Sequence, residues 1–181
     1  MIEALEVVGV DYAIGGSVAS SFLGVARATQ DADLAVDLRL ADAERFITAL
    51  GSSFYADLDR AEQAIRGRRS FNVIHLPTMY KVDLFITPNT PFARSSFARR
   101  VWLEVPEIAR QVAVTSPEDI VLHKLLWFAA GNQVSDRQWY DLSGVLRIQR
   151  DRLDRVYLEQ WAETLGVAGL LRRALTEADP D

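Results

Sequence analysis

The sequence predicts an α/β (α+β) protein in which a mixed sheet with flanking helices is followed by a C-terminal helical bundle. Before Ser116-Pro117, short apolar stretches alternate with patterns of helical period, and after it almost every segment has the helical period. A clean strand pattern lies at 31–38, where apolar side chains occupy every second position. We therefore expect an α/β domain over residues 1–115 and a helical subdomain over residues 116–181.

The composition excludes several classes of protein. The 181 residues include no cysteine and two histidines, so disulfides, thiolate zinc sites, a cysteine nucleophile and a histidine-rich metal site are excluded. Any metal would be held mainly by carboxylates, which suit Mg²⁺ or Mn²⁺. The net charge of −5 argues against a generally basic nucleic-acid binder. No apolar run reaches the ~18 residues of a membrane helix and the N-terminus has no basic leader, so we expect a cytoplasmic protein with no membrane partner.

The first half carries strand and helix signals in turn. A short strand at 12–15 is broken by Gly15-Gly16, after which Ser17 is placed to cap a helix that ends near Leu23. The strand at 31–38 follows. The further predicted elements are a helix at 41–50, a weak strand at 53–56, a helix at 59–65, strands at 71–76 and 80–86, a helix at 92–100, and one or two strands within 101–114. The strands at 71–76 and 80–86 are joined by a short turn, so we expect an antiparallel hairpin.

The second half opens on a clear helix start. Ser116 is placed at the cap, Pro117 at the first helical position, and acidic residues in the first turn. This helix continues to Gly131. Three more helices are predicted at about 136–149, 153–165 and 168–178.

Three features carry the chemistry. Gly15-Gly16-Ser17 lies at a strand-to-helix turn, and Asp31 and Asp33 open a strand. Residues two apart in a strand point to the same face, so these two carboxylates lie side by side on one face of the strand. Asp83 stands in an apolar strand and can join them if its strand is adjacent and in register.

Converging carboxylates repel one another, and a divalent cation removes that repulsion. A helix N-terminus opened by glycines offers free backbone N–H groups to a phosphate. Together, a phosphate cradle and a metal cluster are what transfer of a phosphate-linked group needs. The alternative for Asp83 is a salt bridge with Lys81 or an arginine, and the alternative for Lys124 is to extend along the helix to the surface.

The spacing of Gly16-Ser17, Asp31-x-Asp33 and a third acid on a later strand resembles the nucleotidyltransferase-fold (polymerase-beta-like) superfamily. Ser116-Pro117-Glu118-Asp119 leading to His123-Lys124-Leu125, the segment 136–142, and Arg27-x-Thr29 before Asp31 resemble the abortive-infection toxin-type and minimal nucleotidyltransferases and their uncharacterised relatives. The resemblance implies a nucleotidyltransferase-like first domain.

The resemblance also implies a role for each matching residue. Asp31, Asp33 and Asp83 would be catalytic and would hold Mg²⁺ or Mn²⁺, and Asp83 would help to deprotonate the acceptor hydroxyl. Lys124 would neutralise triphosphate charge, and Asp141 would position Lys124 or the substrate. The implied nucleotide-binding residues are Gly15, Gly16, Ser17, Arg27, Lys124 and Asp141.

The expected reaction is metal-dependent transfer of a nucleoside monophosphate from a nucleoside triphosphate to a hydroxyl, with release of pyrophosphate. The acceptor stays open between an RNA end such as that of tRNA, a protein and a small molecule, and a toxin-type enzyme would have a cognate antitoxin. Two alternatives are kept: a catalytically silent nucleotide-binding or antitoxin-type protein on the same fold, and a helical module that binds a partner chain. The segment before Asp31 is not an apolar strand, which argues against dehalogenase-type phosphatases and nucleotide-sugar glycosyltransferases, and the chain has no P-loop.

Overall fold

The computed structural model describes residues 1–178, and for Glu107 the backbone alone. The chain divides into two compact units. The first comprises Met1–Gly15 with Thr29–Val114, and the second comprises Gly16–Ala28 with Thr115–Asp181. The element order confirms the predicted fold class, a mixed α/β protein with a C-terminal helical part.

The described part of the chain contains seven strands and nine α-helices. The strands are β1 (Tyr12–Ile14), β2 (Asp31–Val36), β3 (Phe54–Tyr55), β4 (Ser70–His75), β5 (Tyr80–Ile86), β6 (Val101–Val105) and β7 (Arg110–Val114). The helices are α1 (Ile2–Val8), α2 (Gly16–Leu23), α3 (Ala43–Leu50), α4 (Leu58–Gly67), α5 (Pro91–Ala98), α6 (Pro117–Ala130), α7 (Asp136–Gln149), α8 (Arg155–Thr164) and α9 (Ala168–Ala178).

The first unit is built on one mixed sheet with the strand order β3-β4-β5-β2-β1-β7-β6. The predicted hairpin is confirmed, because β4 and β5 pair antiparallel. The parallel pairing of β2 with β5 matters most for function, since it sets Asp33 opposite Asp83. The strand of Asp83 is therefore adjacent to the strand of Asp31 and Asp33 and in register with it, as the predicted three-acid group requires.

Alternation along the central strands separates a buried face from a polar face. Leu34 and Val36 on β2, and Leu84 on β5, are at most 3% exposed. Phe46 of α3 is fully buried and adds to this core. Residues in the opposite phase therefore carry the acidic side chains on the other face of the sheet.

The second unit is a helical bundle in which α6 packs on α7, α8 and α2, and α9 packs on α7 and α8. Leu122 and Leu125 of α6 are fully buried. The predicted start of α6 is confirmed: the Ser116 side chain accepts a hydrogen bond from the backbone N–H of Asp119 at 3.2 Å. Residues 16–28 belong to this unit because α2 packs on α6 and α7.

Most predicted elements are present within a few residues of their expected bounds, and two differ. Helix α1 was not predicted, because seven residues span only two helical turns. Helix α2 begins at Gly16, so Ser17 lies in its first turn and does not cap it. Over residues 1–178, no helix is both long and apolar enough to cross a membrane.

Candidate functional site

The acids of β2 and β5 share one face of the sheet. Asp31 pairs with Lys81 and Asp33 pairs with Asp83 across two parallel strands, and paired residues of neighbouring strands project to the same side. The Asp31 side chain is 44% exposed and that of Asp83 is 21% exposed. We call these four residues, Asp31, Asp33, Lys81 and Asp83, the acidic face.

Lys81 contacts the carboxylates of this face directly. Its Nζ lies 2.7 Å from Asp83 Oδ2 and 3.8 Å from Asp31 Oδ2. The hydrogen bond to Asp83 raises the pKa of Lys81, partial desolvation opposes this, and the charges of Asp83, Asp31 and Asp33 add to it. Lys81 is therefore an ammonium ion at neutral pH, and the salt-bridge alternative for Asp83 is the one that the structure contains.

The acidic face fits a divalent cation in its chemistry and its strand register, since carboxylate oxygens are the ligands that Mg²⁺ and Mn²⁺ prefer. The side chains, however, do not stand in a ligating arrangement. Among the residues whose side chains are described, no group of three His, Cys, Asp or Glu is placed to hold a metal ion. The contact between Lys81 and Asp83 explains part of this difference from the sequence prediction, because the ammonium takes up a carboxylate that a cation would use.

Two further residues fix the start of β2: Tyr80, which the sequence analysis did not single out, and Thr29, which it named only as part of the Arg27-x-Thr29 motif. Tyr80 Oη donates to the Asp31 carbonyl oxygen at 2.9 Å, and Thr29 Oγ1 donates to Asp31 Oδ1 at 3.2 Å. Burial raises the pKa of Tyr80, and the charges of Asp31 and Asp33 raise it further. On the other side of β2, the Gly15 N–H donates to the Asp33 carbonyl oxygen at 2.8 Å. The backbone that carries both acids is therefore held from two directions.

The helical unit contains a second charged cluster around Asp141 on α7. Arg27 binds Asp141 with two nitrogens, Nε to Oδ1 at 2.7 Å and Nη2 to Oδ2 at 3.0 Å. Lys124 Nζ donates to Oδ2 at 2.7 Å. Ser17 Oγ accepts from Arg27 Nη2 at 2.6 Å and lies 3.5 Å from Oδ2. We call Ser17, Arg27, Lys124 and Asp141 the Asp141 cluster.

The Asp141 cluster is buried and preformed. Lys124 is 4% exposed and Asp141 is 3% exposed, so the expectation that Lys124 could extend to the surface is wrong. Burial by itself would raise the pKa of Asp141, but the hydrogen bonds from Arg27 and Lys124 and their charges lower it below its ordinary value. The carboxylate is therefore ionised, and two cations share it.

Glycines allow the backbone approach that forms this cluster. A Cβ on Gly24 would lie 2.7 Å from the Val145 backbone nitrogen, and one on Gly144 would lie 3.1 Å from the Val25 backbone nitrogen. The segment after α2 therefore runs against α7 one turn beyond Asp141, which brings Arg27 to it. Gly16 has φ of +54°, a conformation that favours glycine at the entry to α2.

Comparison of the sequence with family models and with curated proteins finds no match. Comparison of the structure with solved structures finds similar folds. A nucleotidyltransferase-like antigenic protein from Paracoccidioides brasiliensis aligns over 97% of this chain and 89% of its own, with a TM-score of 0.58 and 19% identity. The antibiotic-resistance factor ANT(2'')-Ia aligns over 97% and 90%, with a TM-score of 0.53 and 17% identity. The lincosamide adenylyltransferase LnuA, bound to lincomycin, aligns over 81% and 92% at 12% identity and a TM-score of 0.49.

The mixed sheet and the helical unit make this chain a two-part α/β protein. Its similarity to the first two structures shows that the chain has the nucleotidyltransferase fold. The fold that the sequence motifs imply is therefore confirmed.

Proposed function

We propose that the chain is a metal-dependent nucleotidyltransferase that moves a nucleoside monophosphate from a nucleoside triphosphate to a hydroxyl. The observation that carries this proposal is the in-register pairing of β2 with β5, which sets Asp33 beside Asp83 with Asp31 on the same face. The fold supports it, because two solved structures of similar fold are a nucleotidyltransferase-like protein and an antibiotic-resistance factor.

In this proposal Asp31, Asp33 and Asp83 would hold the divalent cations. Mg²⁺ or Mn²⁺ would neutralise the triphosphate charge and lower the pKa of the acceptor hydroxyl. Asp83 accepts the hydroxyl proton. The hydroxyl oxygen forms a bond to the α-phosphorus, the bond from that phosphorus to the bridging oxygen breaks, and pyrophosphate leaves with the electron pair.

The Asp141 cluster is the candidate anion site of the helical unit. Two cations share one carboxylate there, so the four side chains carry a net positive charge that suits a polyphosphate. We assign anion binding to Ser17, Arg27 and Lys124, together with the backbone N–H of Gly16 at the start of α2. Asp141 holds Arg27 and Lys124 in position without itself contacting the nucleotide.

The acceptor is proposed only as a hydroxyl, on an RNA end such as that of tRNA, on a protein or on a small molecule. A toxin-type role with a cognate antitoxin belongs to the same proposal for RNA or protein acceptors. One observation favours a second candidate, a catalytically silent nucleotide-binding protein: Lys81 bonds the carboxylate that would take the proton.

Transfer of label from [α-³²P]-nucleoside triphosphates separates the two candidates. Each triphosphate is incubated with Mn²⁺ or Mg²⁺ and, in turn, with RNA including tRNA, with protein including the chain itself, and with hydroxyl-bearing small molecules. The proposal predicts label on one acceptor class, loss of that label in Asp33→Asn, and its retention in Asp37→Asn, which removes an acid just beyond the end of β2. Saturable nucleotide binding with no label on any class would favour the silent protein.

A further inference from the structure

Within the acidic face, Lys81 lies where a counter-ion of the three carboxylates would lie. It is one of two lysines in the chain, the other being Lys124. Its register partner is Asp31, and it precedes Asp83 by two residues, so all three project to one face. Its ammonium lies 2.7 Å from one of these carboxylates and 3.8 Å from the other.

The physical setting makes this contact replaceable. The Lys81 side chain is 41% exposed, so it can leave the carboxylates for water without a burial cost. A lysine ammonium is a compact, strongly hydrated charge on a flexible stem, and an exposed lysine–carboxylate pair is weak. The ammonium therefore offsets repulsion among the three acids but cannot hold them against a divalent charge.

We propose that Lys81 is a displaceable internal cation: in the metal-free protein it neutralises Asp31 and Asp83, and a divalent cation must displace it to bind. Lys81 thereby lowers the affinity of the acidic face for a metal ion that arrives alone. A metal ion arriving with the charge of a triphosphate overcomes that competition. This inference rests on the proposed function, because it takes the acidic face as the metal site.

Mn²⁺ binding, followed by electron paramagnetic resonance of the free ion, measures the competition without any turnover. We expect Lys81→Gln to bind Mn²⁺ about two- to fivefold more tightly than the wild type, as expected for loss of one exposed ion pair. Lys81→Arg should bind it more weakly than the wild type, because a guanidinium grips carboxylates with two nitrogens. Arg45→Gln is the matched control, since it removes an exposed cation that pairs with Asp42 at 3.2 Å and changes the net charge equally.

The presence of two lysines allows a direct observation on the wild-type protein. With ¹³C,¹⁵N-lysine labelling, the ε-methylene of Lys81 gives one of two signals, assigned by its loss in Lys81→Gln. Titration with Mg²⁺ should move this signal towards that of a free, solvated lysine, at concentrations that saturate the binding. The buried Lys124 signal serves as the internal reference.

The outcomes separate failure of the inference from failure of the proposed function. Metal binding that Asp33→Asn abolishes, combined with an unmoved Lys81 signal and equal affinities for the wild type, Lys81→Gln and Arg45→Gln, would overturn the inference and leave the proposed function standing. No metal binding by the wild type or by Lys81→Gln, with or without a triphosphate, would overturn both.

Discussion

The two charged clusters of this protein differ in the sign of their net charge and in how deeply they are buried. The acidic face has three carboxylates and one lysine on a partly exposed face of the sheet. The Asp141 cluster has one carboxylate and two cations inside a helical bundle. The Lys81 side chain is 41% exposed, whereas the Lys124 side chain is 5% exposed.

This difference predicts which cluster changes and which stays fixed. Exposed ion pairs contribute about 0–1 kcal/mol, so the contacts of Lys81 can rearrange when a ligand binds. Removing one partner of a buried pair costs about 3–5 kcal/mol, so the Asp141 cluster is in place before any ligand arrives. Under the proposed function, the acidic face is the adjustable site for cations and the Asp141 cluster is the preformed site for anions. The predictions below test that contrast from the largest expected effect to the smallest.

The largest effect is expected for Asp33→Asn on the acidic face. Transfer should fall by at least about 100-fold, because charge developing in the transition state loses its stabilisation. The melting temperature without metal should be unchanged or slightly higher, since repulsion among the carboxylates decreases. Label transfer and melting in EDTA, compared with Asp37→Asn, measure both. A large loss of metal-free melting temperature would show that Asp33 makes a structural bond and would contradict the adjustable site.

The Asp141 cluster should respond in the opposite way, with a loss of stability. Asp141→Asn leaves Arg27 and Lys124 without their carboxylate and should lower the free energy of unfolding by about 3–5 kcal/mol. The melting temperature would fall by roughly 6–20 °C. Asp136→Asn on the same helix is the control, because Asp136 is exposed and should change melting by less than about 2 °C. Equal melting of the two variants would remove the argument for a preformed cluster.

Acid should weaken the Asp141 cluster in a defined range of pH. The pKa of Asp141 is lowered in the folded protein, so the unfolded chain takes up the proton first as the pH falls. The stabilisation is therefore complete above the ordinary value of 3.8 and is lost as the pH falls below it, through the folded pKa. The difference in unfolding free energy between the wild type and Asp141→Asn, measured by urea unfolding, should be constant from about pH 7 to about pH 5 and shrink in stronger acid. A difference that grows in acid would reverse the sign of the assigned shift.

The smallest effect concerns the glycine contact that brings Arg27 to α7. Gly24→Ala places a methyl 2.7 Å from backbone and should destabilise by about 1–3 kcal/mol. Gly169→Ala, in α9 with nothing within 4 Å, should be neutral or stabilise by up to about 1 kcal/mol. Urea unfolding of both variants tests this. Similar effects of the two substitutions would mean that the close approach does not hold the cluster.

Local patterns predicted the sheet well, because alternation in 31–38 and 80–86 fixes which side chains are buried. The same alternation placed Lys81 in phase with Asp83, and the salt bridge was one of the two alternatives that the pattern left. Whether Asp83 faces a metal ion or Lys81 depends on where the ends of these side chains lie. Period-2 alternation shows only which face of the strand a side chain is on.

The Asp141 cluster could not be assembled from the sequence. Arg27 and Asp141 are separated by 114 positions, and their contact depends on how two helices pack. The only local signal is the pair of glycines, Gly24 and Gly144, which permits close approach but does not identify the partner. A family resemblance assigned roles to these residues, and the geometry adds that Asp141 binds both cations at once.

Thermal unfolding with each ribonucleoside triphosphate, with and without Mg²⁺, tests the central claim most directly. A triphosphate at 100 times its dissociation constant should add about 2.7 kcal/mol, which raises the melting temperature by roughly 5–10 °C. The account predicts a Mg²⁺-dependent shift in the wild type and in Asp37→Asn that is lost in Asp33→Asn. A shift of equal size in Asp33→Asn, or none with any triphosphate in the folded wild type, would contradict the assignment of the acidic face as the metal site of a nucleotidyltransferase.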